Sequence, residues 1–204
     1  MKHRAILDTI VVLVSCTDSH SKANVNKTLK EALSTTLTII KAAKQDGVKV
    51  RAYASLAFGC PFEGKVPVQQ VLDIVATYLE NEADQIVLAD TLGVAIPEQV
   101  SSMIDQIQKN FKIPPNHLGM HMHDSHSRAH ENIIEGWKLG VRDFDASVGG
   151  CGGCNFAPGS KGNISIEKLT RAIDSIGGLV NININSLREV NESLSKMLNR
   201  QLEQ

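Results

Sequence analysis

QIVLADTLGVAIPEQVSSMIDQIQKNFKIPPNHLGMHMHD, residues 85–124, carries one complete strand–loop–helix–strand passage. QIVLA (85–89) is a short apolar run bounded by turn residues, the pattern of a buried strand. DTLG follows it. Pro97 then opens a helix, since the first helical residue loses nothing by lacking an amide proton. Val100, Met103, Ile104 and Ile107 recur along that helix at helical spacing. HLGMHMH (117–123) is the next strand. Two strands joined through a helix, with no hairpin signal between them, predict a parallel βαβ unit.

The same alternation extends in both directions. Upstream, Ile10–Val14 is an apolar strand run that continues into SCTDSH. Asn26 offers an N-cap for a helix carrying Leu29, Leu33, Leu37 and Ile40, and Gly47 stops it. Val48–Phe58 is a strand that ends in GCPFEG, and Pro67 opens a helix with Val68, Val71, Leu72, Val75, Tyr78 and Leu79. Downstream, Ala129, Ile133, Ile134 and Trp137 mark a helix closed by Gly140, and Asp143–Val148 is a fifth strand. After a glycine-dense loop come a helix with Leu169, Ala172, Ile173 and Ile176, and a last helix from about Ser186 to Leu202 with Leu187, Val190, Leu194 and Met197 on one face. Five strand–helix units predict an α/β fold with a parallel sheet and helices outside it. Two architectures suit the count: an open sheet, or five of the eight units of a (β/α)8 barrel. In both, polar and glycine-rich segments at the carboxyl ends of strands build active sites. SCTDSH, GCPFEG, DTLG, HDSH and GGCGGC occupy those places.

Composition narrows the function. The 204 residues are 42% hydrophobic, enough for a sizeable core, and 21 Lys+Arg against 22 Asp+Glu give a net charge of −1. This balance argues against a nucleic-acid or anionic-membrane partner, either of which would need a basic patch. No apolar run reaches the roughly 18–20 residues of a membrane helix. MKHRAILDTIVVLVSC starts like a short signal peptide, but its run is β-branched, holds Asp8 and lacks a small-x-small cleavage site, so it reads as a strand. Four cysteines (16, 60, 151, 154) are too few to staple such a chain and suit a reduced, cytoplasmic protein.

His121 and His123 alternate with Met122, so on a strand both imidazoles face one way. They are either half of a metal site or two surface histidines at a strand end. GGCGGCNFAPGSKGN (149–163) follows, its glycines allowing close backbone approach to a ligand. Its Asn163 could add a hard amide oxygen, a set that would suit Mg²⁺, Mn²⁺ or a similar octahedral ion. Cys151 and Cys154 form a CxxC. A redox or zinc role for it is disfavoured, because no second CxxC exists and no helix starts there. His126 and His130, four apart, either extend a metal site or form a solvated helical face. Asp90 points itself or its neighbour to the same rim, or serves as a helix-start turn residue.

Taken together, SKANVN (21–26), YASLAFGCPFEG (53–64), LADTLGVAIPEQ (88–99), HMHD (121–124) and the 149–163 loop resemble the 3-hydroxy-3-methylglutaryl-CoA lyases. More broadly, they resemble the metal-dependent lyase and synthase barrels of the DRE-TIM superfamily. The resemblance implies one domain over 1–204, the last five units of a TIM barrel plus a C-terminal helix. It implies a divalent cation (Mg²⁺ or Mn²⁺) on His121, His123 and Asn163, with Cys154 as the catalytic loop cysteine and Asp90 at an active-site acidic position. The implied reaction is cleavage of a 3-hydroxy-3-methylglutaryl-CoA-like ester to acetyl-CoA and a ketoacid, by a homo-oligomer that binds acyl-CoA. The alternatives are an acyl-CoA-condensing synthase of the isopropylmalate or homocitrate type, which generally lacks the cysteine loop, and an incomplete barrel acting only by binding. The family's opening Asp-Arg-Glu motif and the glutamate of its next strand have no counterpart here, so the chain reads as a fragment or natural truncation with a neutral ligand set. Alone, it is expected to show little lyase activity. His126, Ser127 and His130 depart from the family pattern after HMHD and bear on substrate identity.

Overall fold

The computed structural model describes residues 7–203; the positively charged start MKHRAI and Gln204 lie outside the described residues. Five strands run β1 (Thr9–Ser15), β2 (Lys49–Ser55), β3 (Gln85–Asp90), β4 (Leu118–Met122) and β5 (Asp143–Asp145). The helices are α1 (Asp18–Val25), α2 (Leu29–Gln45), α3 (Val68–Glu80), α4 (Pro97–Phe111), α5 (Ala129–Lys138), α6 (Ile166–Asp174) and α7 (Ile184–Leu198). Among the described residues no helix is long and apolar enough to cross a membrane.

All strand pairs are parallel, and the order across the sheet is β1-β2-β3-β4-β5. That order decides between the two architectures. Right-handed crossovers that always step to the next strand in the same direction put every helix on one face. A doubly wound sheet reverses direction and covers both faces. Here Val12, Val14, Val50, Ala52, Ala54, Ile86, Leu88, Leu118, Met120 and Met122 point to one side and join the helices in a single apolar core. Alternate residues point to the other side, the concave interior of a barrel arc. The chain is an α/β fold of TIM-barrel type, present as five strand–helix units with α1 and α7 in addition. At β1 the interior face is bare: Val11 is 58% and Leu13 45% exposed.

Register ties the interior residues into rows. Ser15, Ser55, Ala89, His121 and Asp145 pair in succession across the five strands. One row below, towards the strands' amino ends, run Leu13, Tyr53, Val87, Gly119 and Asp143. The upper row faces the carboxyl-end mouth.

Several boundaries differ from the sequence reading. SCTDSH does not prolong the first strand beyond Ser15: Thr17 occupies the N-cap position of α1, a short helix without an apolar stripe, and Asn26 is its left-handed C-cap (φ 55°) rather than the N-cap of the next helix. Thr28 caps α2 in a reciprocal capping box with Glu31. β2 stops at Ser55, because Leu56 adopts φ 63°. β5 stops at Asp145, and Ser147 bridges instead to Ser165. On α7 Leu187 is buried, but Met197 is 83% exposed. That helix ends at Leu198, and the chain then turns back to bury Leu202.

Candidate functional site

The carboxyl end of β4 is where distant segments meet. The chain leaves β4 still paired to β3, with the His123 amide donating to Asp90 O at 3.1 Å. The end of the glycine loop returns to the same place. The Asp124 amide donates to Gly162 O, the Ile164 amide donates to Met122 O, and His123 and Asn163 form an antiparallel bridge. Bridge partners hold their side chains on the same face, so Asn163 stands beside His123, and strand alternation places His121 there too. The two imidazole centroids are 5.3 Å apart.

Each of these side chains is oriented by one atom, leaving another for a ligand. His121 Nδ1 lies 3.2 Å from Asp145 Oδ2, and His123 Nδ1 meets Ser160 Oγ at 2.5 Å. Nε2 is then the remaining nitrogen of each ring. Asn163 Nδ2 donates to Cys151 O at 2.8 Å, while its Oδ1 is buried without a hydrogen-bond partner. A buried oxygen left without a partner costs about 1–3 kcal/mol, so it calls for a water or an ion to bind it. Two imidazole nitrogens and an amide oxygen fit a divalent cation of the Mn²⁺ or Mg²⁺ class. Among the described residues no group of three or more His, Cys, Asp or Glu side chains is arranged to hold a metal ion.

His121 and His123 border a cleft of about 600 Å³ also lined by Tyr53, Thr91, His20 and Cys154. Asp145 anchors its floor. It accepts from Tyr53 Oη at 2.5 Å and from Arg51 Nη2 at 3.1 Å, and Arg51 also pairs with Asp143. Burial works to raise the Asp145 pKa, but hydrogen bonds from His121 and Tyr53 and the Arg51 charge outweigh it and hold the group below the ordinary carboxylate range.

His123 is 4% exposed, and burial, reinforced by His121 beside it, lowers its pKa from 6.5 to about 4. The ring is therefore neutral near pH 7, the form that ligates a metal. In the unfolded chain it takes up a proton near pH ~6.5. Its contribution to stability is thus complete above that pH and is lost as pH falls towards 4. The loss should reach about 3 kcal/mol at the acid end. Urea melts of the metal-free chain should show midpoints that fall across this window, and His123→Gln should flatten the fall.

The structure brings His121, His123 and Cys154 to one cleft, with Asn163 bridged to His123 behind its wall. Asp90 stands apart. It is 1% exposed, its two carboxylate oxygens accept the Gly93 and Ala95 amides, and it fixes the DTLGVA turn, while its neighbour Thr91 lines the cleft. Burial raises its pKa, and those backbone hydrogen bonds oppose the rise. The two loop thiols are unbonded to each other: Cys154 borders the cleft, whereas Cys151 Sγ is 3.6 Å from Arg200 Nη2. His126 lies in a turn against Gly93 O, and His130 is exposed on α5. Sequence reasoning missed Tyr53, Ser160 and Asp145. For Asp145 and Tyr53 the available signal was strand parity, because both fall on the face shared by His121.

Residues 2–194 match the HMGL-like family model. A cytoplasmic 3-hydroxy-3-methylglutaryl-CoA lyase of Danio rerio is 34% identical over 191 residues, covering 94% of this chain and 56% of the relative. A hydroxymethylglutaryl-CoA lyase of Bacillus subtilis is 32% identical over 176 residues, 86% of this chain and 58% of the relative. The chain thus spans a little over half the length of these curated relatives. Among solved structures, an HMG-CoA lyase of Acinetobacter baumannii in complex with coenzyme A and 3-methylmalate superposes with a TM-score of 0.90 at 30% identity, over 97% of this chain and 64% of that one. The Bacillus subtilis HMG-CoA lyase does so with a TM-score of 0.89 at 29% identity, over 97% and 65%.

Proposed function

Because this chain belongs to the HMGL-like family, we propose that it works as a divalent-metal-dependent carbon–carbon lyase on a 3-hydroxy-3-methylglutaryl-CoA-like ester, yielding acetyl-CoA and a ketoacid. The observation that carries this reading is the His121–His123 pair in a cleft that also contains a loop thiol, with the buried, unpartnered Oδ1 of Asn163 on the residue bridged to His123. His121, His123 and Asn163 would hold the cation, which supplies electrostatic stabilisation of negative charge on substrate oxygens.

The chain's own groups account for the rest. As the bond beside the tertiary alcohol breaks, the hydroxyl proton passes to solvent, its oxygen becomes the ketone, and the bond's electron pair is left on the acyl-CoA α-carbon; the Cys154 thiol can deliver a proton there and is reprotonated from solvent. The glycines around Cys154 let the loop carry the thiol inward over a bound ester. Tyr53 and Thr91 line the wall between β2 and β3, their hydroxyls held by Asp145 and Ser55. The relative solved with coenzyme A supports an acyl-CoA as the ligand class.

The test is incubation of the chain with 3-hydroxy-3-methylglutaryl-CoA, with products identified by mass spectrometry. Acetyl-CoA release should be slow, since the donor set is neutral. It should require Mn²⁺ or Mg²⁺ and fall by ~10²-fold or more in Cys154→Ser, the scale of a lost general acid. Metal-independent release would contradict the proposal. Full activity in Cys154→Ser would remove the lyase assignment of the thiol and favour a condensing synthase.

A further inference from the structure

We infer that Asp145 is the carboxylate of this metal site, a positioning residue that acts through His121 rather than by touching the cation. The inference rests on the His121–His123–Asn163 reading. Those three donors carry no charge to set against a dication. Asp145 lies one hydrogen bond away from His121: its Oδ2 is 3.2 Å from His121 Nδ1, in the same register row. A carboxylate at that nitrogen holds the proton on Nδ1, turns Nε2 into the free lone pair and makes that lone pair more basic. It also fixes the ring's rotation, which strand geometry alone does not.

Asp145 is itself held. Tyr53 Oη donates to the oxygen that meets His121, and Arg51 Nη2 reaches the other. Arg51 is braced in turn by Gln85 and Asp143. Four interior residues on three strands therefore fix one carboxylate against one ring. The remaining chemistry of that carboxylate is consistent with this role: with hydrogen bonds to His121, Tyr53 and Arg51, its oxygens are committed within the wall.

The experiment is titration of the full chain with Mn²⁺, followed by calorimetry and electron paramagnetic resonance, together with ¹⁵N-detected NMR of the His121 ring. In the metal-free wild type, His121 should be in the Nδ1–H tautomer. Asp145→Asn should weaken Mn²⁺ binding ~10–100-fold and redistribute that tautomer. Tyr53→Phe, which keeps the carboxylate but loosens it, should give a smaller loss in the same direction. A His121 ring carrying its proton on Nε2 in the wild type would overturn the inference, even if Asp145→Asn fails to fold. So would an Asp145→Asn chain that binds Mn²⁺ within twofold of wild type while His123→Gln does not, an outcome that leaves the three-donor reading standing. If neither variant alters Mn²⁺ binding, that reading fails and takes the inference with it.

Discussion

Replacing His123 with glutamine should abolish specific Mn²⁺ binding, weakening it by ~10²-fold or more, beyond the 10–100-fold typical when only a supporting partner is lost. His123 is the hinge of the site. Its backbone is paired to Asp90 on one side and bridged to Asn163 on the other, and Ser160 from the glycine loop reaches its Nδ1. Glutamine fills similar volume and keeps a polar end, so the backbone pairings that dock the loop should survive. Calorimetric titration with Mn²⁺ reads the effect, and amide hydrogen exchange over residues 118–124 and 160–166 checks that the bridge persists. Wild-type affinity in the variant would remove His123 from the ligand set.

Gly162→Ala should be the most damaging single-methyl change in the loop. Gly162 has φ +106°, and a Cβ there would sit 2.2 Å from Gly152 O and 3.1 Å from Gly150 O. Those neighbours are backbone atoms and cannot rotate aside. Its own carbonyl receives the Asp124 amide, so it cannot shift without loosening the loop from β4. A residue forced into such a conformation costs roughly 1–3 kcal/mol before the clash is counted. The total should be on the order of 2–4 kcal/mol. Asn163 follows directly, so metal affinity should fall along with stability. Gly153→Ala is the control: nothing lies within 4 Å of its added Cβ. Denaturant melts and Mn²⁺ titrations of the two variants should diverge sharply. Equal behaviour would mean that the loop reaches the site by another path.

The sequence made much of this fold legible, because apolar period and punctuation agreed. Pro67 and Pro97 stand where α3 and α4 begin, Gly47 and Gly140 (φ 69° and 96°) follow α2 and α5, and β3 and β4 lie within a residue or two of their apolar runs. Two features were hidden. α1 lacks an amphipathic stripe and is held by its ends and neighbours, so Asn26 looked like the start of a helix when it closes one. The choice between open sheet and barrel arc depends on the order of strands in space, which no local pattern carries.

The site divided in the same manner. In the proposed site, His121 and His123 were singled out by a two-residue alternation, Asn163 by its amide oxygen in the glycine loop, and Cys154 as a catalytic thiol by the family resemblance of that loop. Asp145 was not, because a carboxylate in a short strand looks like a surface group until register sets it against His121. Asp90 drew notice through its motif, yet its two oxygens are occupied by the turn that it stabilises.

Crystals of the chain grown with Mn²⁺ and measured at the manganese absorption edge test the site most directly. A single strong anomalous peak should lie within about 2.0–2.3 Å of His121 Nε2, His123 Nε2 and Asn163 Oδ1, the span of ordinary metal–nitrogen and metal–oxygen bonds. A peak elsewhere in the molecule, or contact with only one of the three side chains, would contradict the proposed site.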